Sequence, residues 1–222
     1  MPPEFVIPLA IGIAALVIIS IIFGIVYDKK RREGMQKFAS ELGLEFYKDL
    51  PVSDVSEFSG FQLAHRGSGQ RSRNGIIADS GELRMVFFDF QYTTGGGKNS
   101  KTKHQTVMMA TSKTSLQLPD FTLSPESFLN RLGDVFGFKD IDFDDDEEFS
   151  DAFLLHGSDE EFIRAFFNPV RRKKFFEFRD VSMEARGDAF IFYKPGVRIR
   201  TNELRSLMER AFSLYSLLSS EA

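Results

Sequence analysis

A chain of 222 residues, 42% hydrophobic with 17 Gly and 8 Pro, has the composition of a globular protein rather than a fibrous or disordered one. It has no cysteine, which excludes disulfides, thiolate zinc sites and cysteine nucleophiles. A formal net charge of −4 argues against a general nucleic-acid binder but leaves room for a local basic patch.

The first element is an apolar run, FVIPLAIGIAALVIISIIFGIVY, from Phe5 to Tyr27, without a charged residue. As a helix it would be about 34 Å long at roughly 1.5 Å per residue, enough for a hydrocarbon layer of about 30 Å. Pro8 falls in the first turn, where its missing N–H does little harm. The basic cluster Lys29, Lys30, Arg31 and Arg32 follows the run, the reverse of the order in a secretory signal peptide. The sequence therefore predicts an uncleaved transmembrane helix over 5–27, with the lipid bilayer as its first partner. Basic residues stay on the cytoplasmic side, so the N-terminus is expected outside and the rest at the cell membrane's cytoplasmic face. Ser20 and Gly24 form a small-xxx-small pair that could seat a second helix, and the oligomeric state stays open.

A juxtamembrane helix is predicted over 28–43, with Met35, Phe38, Ala39 and Leu42 on one face and Gly43 as its cap. The soluble domain is expected over 44–222, with room for a subdivision near 124–150. A short strand, LEFY, is followed by a loop to Gly60 and a strand candidate over 61–66. Strands are predicted at 73–79 and 83–93 around a Ser80-Gly81 turn, then at 105–112 and in LQLPDFTL. Within 83–93, Val86, Phe88, Phe90 and Tyr92 alternate with Phe87, Asp89, Gln91 and Thr93, which assigns them to opposite faces. Ser124 and Pro125 read as the start of a helix carrying Phe128, Leu129, Leu132, Val135 and Phe136. After an acidic linker come a strand in FLLHGS, helices opening at Ser158 and Pro169, a hairpin turning at Gly187-Asp188, and a last helix from about Asn202. Strands first and helices grouped after them predict an α+β fold: an N-terminal transmembrane helix, then a mainly antiparallel sheet with packed helices.

Catalytic and metal motifs are weak. TTGGGKNSK fails as a phosphate loop, because Tyr92 stands where the first glycine belongs and Asn99 follows Lys98. Ser100 and Lys103 match S-x-x-K, but on a lysine-rich hairpin tip the amine stays solvated and protonated. His65, His104 and His156 lack metal-ligand spacing, and no cofactor is implied. Asp140, Asp142, Asp144 and Asp151 fall at calcium-loop spacings, but Asp145 occupies the position that needs glycine, so an acidic linker is the plainer reading. The helix RRKKFF is expected to show a solvated basic face and a buried Phe face.

Charge geometry is more informative. With strands alternating in direction, loops 67–72 and 94–104 fall at one end of the sheet. Arg66, Arg71, Arg73, Lys98, Lys101, Lys103 and His104 then form a basic pole suited to an anionic surface, such as cytoplasmic-leaflet lipid or a protein partner.

The stretches SRNGIIADSGELRMVFFDFQYTTGGGKNSKTKHQTV, DIDFDDDEEFSDAFLLHG and VSMEARGDAFIFYKPG together resemble an uncharacterised bacterial family of single-pass membrane-anchored proteins with a soluble α+β domain of unknown function. The resemblance implies the anchor and a bacterial membrane location, and it assigns no catalytic residue. The expected function is a membrane-anchored cytosolic binding module that docks through its basic loop end. The alternative is a membrane-tethered enzyme with a site in a sheet cleft around Asp89, Gln91 and His65.

Overall fold

The structure is a computed structural model and describes residues 3–128 and 140–220. The first element is one unbroken helix, α1, Pro3–Glu41. At about 1.5 Å per residue it is roughly 58 Å long, so the two helices expected at 5–27 and 28–43 are continuous. Its first half exposes Ile13, Leu16, Val17, Ile18, Ile21, Phe23 and Ile25 on all sides. Its second half buries Arg31, Met35, Phe38 and Ala39, a single stripe at helical spacing. The helix stops as expected at Gly43. That residue takes φ +66°, and Leu44 and Gly43 donate back to the Ala39 and Ser40 carbonyls at 2.9 and 3.3 Å. The described side chains of α1 cover only part of the apolar run. Over the described residues, no helix is long and apolar enough to cross a membrane.

Eight strands form one sheet, antiparallel at every pairing: β1 Glu45–Asp49, β2 Ser68–Asp79, β3 Leu83–Thr94, β4 Lys101–Ser112, β5 Leu118–Pro125, β6 Phe153–Gly157, β7 Ser182–Gly187 and β8 Ala189–Tyr193. Their spatial order is β1-β2-β3-β4-β8-β7-β5-β6. The fold class is therefore α+β with an antiparallel sheet. One face packs against the second half of α1 and, among the described residues, four further helices: α2 Glu147–Ala152, α3 Glu160–Phe166, α4 Pro169–Phe175 and α5 Leu204–Ser219. The other face is covered by 3-10 turns at Val52–Gly60 and Gln62–His65, which contribute Phe58 and Leu63, and by Phe61 between them. The alternation read in β3 holds: Val86, Phe88, Phe90 and Tyr92 belong to this second core, and Phe87 to the first.

Residues 67–72 are not a loop, because β2 begins at Ser68, and two further expectations are overturned. Residues 61–66 are not a strand. Phe61 and Leu63 are buried two apart, which mimics strand periodicity, but Ala64 and Arg66 donate to the carbonyls of Phe61 and Leu63 in local 3-10 bonds. Ser124 and Pro125 do not start a helix. They end β5, where the Ser124 hydroxyl donates to Ser182 at 3.1 Å and Pro125 sits opposite Phe153. The helix predicted beyond them falls largely on 129–139, outside the described residues.

Candidate functional site

Arg31 was grouped by sequence with the topogenic lysines. It is instead buried, and its guanidinium is planted in the sheet. Nε and Nη2 each donate to Asp89 at 2.7 Å, Nη2 also reaches Thr106 Oγ1 at 2.8 Å, and Nη1 donates to the Ile199 carbonyl at 2.5 Å. Asp89 is placed by β3 on the face that meets α1. It accepts further bonds from Asn74 at 3.0 Å and Thr106 at 3.2 Å. Asn74 reaches it because β2 carries an irregularity between Arg73 and Ile76, where Asn74 takes φ 52° and leaves the regular ladder. A buried arginine–carboxylate pair is tolerable when geometry is bidentate and the remaining lone pairs are filled, and both conditions hold here. The result is a polar bolt fixing α1 to the sheet one turn past Tyr27.

Beside this bolt lies a cleft of about 290 Å³, lined by Asp28, Arg32 and Arg198, by Lys48 and Asp49 of β1, by Arg71, Arg73 and Asn74 of β2, and by Asp89, Phe90 and Gln91 of β3. Its three carboxylates each face a cation: Asp89 holds Arg31, Asp28 accepts from Arg198 at 2.6 Å, and Asp49 lies 3.9 Å from Arg73.

The predicted basic residues lie toward one end of the sheet, but Arg71 and Arg73 stand within β2 and Lys101, Lys103 and His104 within β4 rather than in loops. The start of β2 and the β3–β4 hairpin meet there, with Ser68 opposite Thr93 and Thr94 opposite Lys101. The hairpin glycines serve the turn: Gly95 takes φ +77°, and a Cβ there would stand 2.5 Å from the Asn99 carbonyl oxygen. The pole is not one surface, however. Arg71, Arg73 and His104 are in register with Gln91 or Asp89 on the α1 face, whereas Lys103 is in register with Tyr92 on the opposite face. Lys98 and Lys101 are exposed at the hairpin tip.

Two of the seven are not available as surface cations. Arg66 is buried against the second core, where the charge of Glu184 and the Tyr193 and Tyr92 hydroxyls face it. His104 Nδ1 lies 2.9 Å from Arg198 Nη2. A guanidinium can only donate, so this nitrogen accepts and the ring is neutral. Desolvation and the Arg198 charge both lower its pKa. Burial also lowers the pKa of Lys103, followed by repulsion from Arg66 and Lys101.

Sequence reasoning missed Glu184. It lies inside β7, accepting from the Leu63 amide at 3.1 Å and the Tyr193 hydroxyl at 3.1 Å. Burial pushes its pKa up, while Arg66 and these donors pull the other way. Its job is to satisfy the 3-10 turn that residues 61–66 adopt. The signal was a lone Glu among apolar residues in a predicted hairpin.

The alternative catalytic set does not converge. Asp89 is saturated by Arg31, Asn74 and Thr106, Gln91 lines the cleft, and His65 is exposed with Nε2 against the Ser59 carbonyl at 2.7 Å.

The acidic linker has a structural use. Asp146 caps α2 by accepting from the Phe149 amide at 3.1 Å, and Arg172 joins Asp146 at 2.8 Å and Asp145 at 2.7 Å. Contrary to the solvated basic face expected for RRKKFF, Arg171 and Arg172 are buried, stacked over Phe166 and Phe143 at 4.1 and 4.3 Å. Among the described residues no three His, Asp or Glu side chains gather as a metal ion would require.

No protein-family model matches the chain, and no curated protein does. One solved structure resembles it in fold, the mycobacterial trehalose monomycolate transport factor A, TtfA. The likeness has a TM-score of 0.54 at 9% identity and covers 85% of this chain and 93% of that one.

Proposed function

We propose that the protein is a membrane-anchored binding module, with α1 crossing the bilayer and the sheet domain held against the cytoplasmic headgroups. The observation that carries this reading is the Arg31–Asp89 bolt. It ties the helix that carries the uncharged run to the sheet, with Arg71 and Arg73 lining the cleft beside it. Support comes also from the apolar side chains from Ile13 to Val26, which the described residues leave exposed. Lys29, Lys30 and Arg32 remain for the topological bias after Arg31 is withdrawn from it. The fold resembles that of a mycobacterial transport factor, so a transport-associated role is the form of binding we favour. The non-convergence of Asp89, Gln91 and His65 weighs against the enzyme alternative.

The test uses the full chain with a C-terminal tag in bacterial cells. The protein should stay with membranes through an alkaline carbonate wash, and the domain should resist protease added to intact spheroplasts but not after lysis. Release by carbonate would overturn the anchor, and trimming from outside would overturn the orientation.

A further inference from the structure

We infer that the cleft beside α1 is a binding site for a phosphate ester, the headgroup phosphate of a bilayer lipid or a soluble glycerol phosphate. The charge inventory points there. Each carboxylate lining the cleft is already matched to its own arginine, through Asp28–Arg198, Asp49–Arg73 and Asp89–Arg31. Arg32, Lys48 and Arg71 also line it and make no ion pair among the described residues. Three cations from three separate elements (the helix, β1 and β2) therefore converge on one concavity, and no carboxylate among the described residues pairs with them. A dianionic or monoanionic phosphate is the ligand such a set holds best, through charge-assisted hydrogen bonds from guanidinium and ammonium donors. A cleft of about 290 Å³ holds a phosphate and a glycerol unit but not acyl chains.

Position agrees with charge. This part rests on the reading that α1 crosses the bilayer. Arg32 lies five residues past Tyr27, about 7.5 Å along the axis at roughly 1.5 Å per residue. The polar layer on each side of the hydrocarbon is about 5–8 Å deep, so Arg32 sits at the level of lipid phosphates. The site differs from the basic pole read in the sequence. It uses Arg32 and Lys48, which that reading omitted, and dispenses with the hairpin lysines.

The test is calorimetric titration of the full chain in a neutral detergent with three probes: dihexanoyl phosphatidylglycerol, dihexanoyl phosphatidylcholine and sn-glycerol 3-phosphate. Phosphatidylglycerol should bind at least about tenfold tighter than phosphatidylcholine. Glycerol phosphate binding equally well would identify a soluble ester as the ligand, and binding at least about tenfold weaker would identify the lipid. Arg71→Gln alone, and Arg32→Gln with Lys48→Gln and Arg71→Gln together, should weaken binding stepwise without lowering the melting temperature, because none of the three is ion-paired. Lys98→Gln with Lys101→Gln should leave it unchanged. Equal affinity for the two lipids, or equal losses from the hairpin and cleft variants, would overturn the site. Carbonate extraction reads the anchor separately, so a protein that stays in membranes yet fails this titration loses only the cleft proposal.

Discussion

Arg31 shows why a charge cluster cannot be read as a sum. By sequence it is one of four equivalent basic residues after an apolar run, and only its neighbours' spacing sets it apart. Arg31, Met35, Phe38 and Ala39 fall on one helical face, and Asp89 falls on the same face of β3 as Phe87. Neither pattern names the partner, since the pairing spans 58 residues of chain. Asp89→Asn leaves the guanidinium buried without its counter-charge and should cost about 3–5 kcal/mol, read by urea unfolding. Arg31→Lys should not rescue the loss, because an ammonium cannot make the bidentate contact. Asp180 gives a pH signature. Burial works to raise its pKa, but bonds from Arg210 and Lys194 outweigh that and bring it to about 2. A depressed carboxylate contributes stability that is present above its unfolded pKa of about 3.8 and is lost as pH falls through about 2. Asp180→Asn should therefore lower stability at neutral pH and flatten the decline between pH 4 and 2, measured by unfolding at each pH.

At the scale of elements, the hairpins were legible because β3 alternates and the turns carry Gly, Ser or Asp, as at Ser80-Gly81 and Gly187-Asp188. The strand assigned to 61–66 failed because a 3-10 turn with Phe61 and Leu63 inward has the same two-residue burial rhythm, and the deciding partner, Glu184, lies far along the chain. The helix boundary assigned at Ser124 failed for a similar reason: Ser-Pro reads as a cap locally, but β6 claims that backbone. The structure also extends the folded unit back into α1, since Met35 and Ala39 are fully buried in the main core. A chain beginning at residue 44 should therefore lack a cooperative thermal transition, whereas one beginning at residue 28 should keep it. Circular dichroism melts of the two would decide, and equal cooperativity would show that α1 contributes no core.

For the whole molecule, an antiparallel sheet with packed helices was visible in the order of the elements, but its two-sided burial was not. Residues 50–60 look like a polar loop, yet Leu50 and Phe58 join Phe61 and Leu63 to seal the second face. Sequence assigns the basic residues to loops, whereas Arg71 and Arg73 lie within β2 and Lys103 takes the opposite face of the sheet. Pairing register, which decides the face each cation takes, depends on irregularities in β2 between Ser68 and Arg71 and between Arg73 and Ile76. The continuity of α1 has a mechanical corollary. A hinged tether would let the domain wander, but a stiff shaft bolted at Arg31 transmits its own inclination. In the proposed seating, a thinner bilayer that makes the shaft lean, by about 20° in an average case, would swing the whole sheet like a rudder on its post and change which edge meets the lipid.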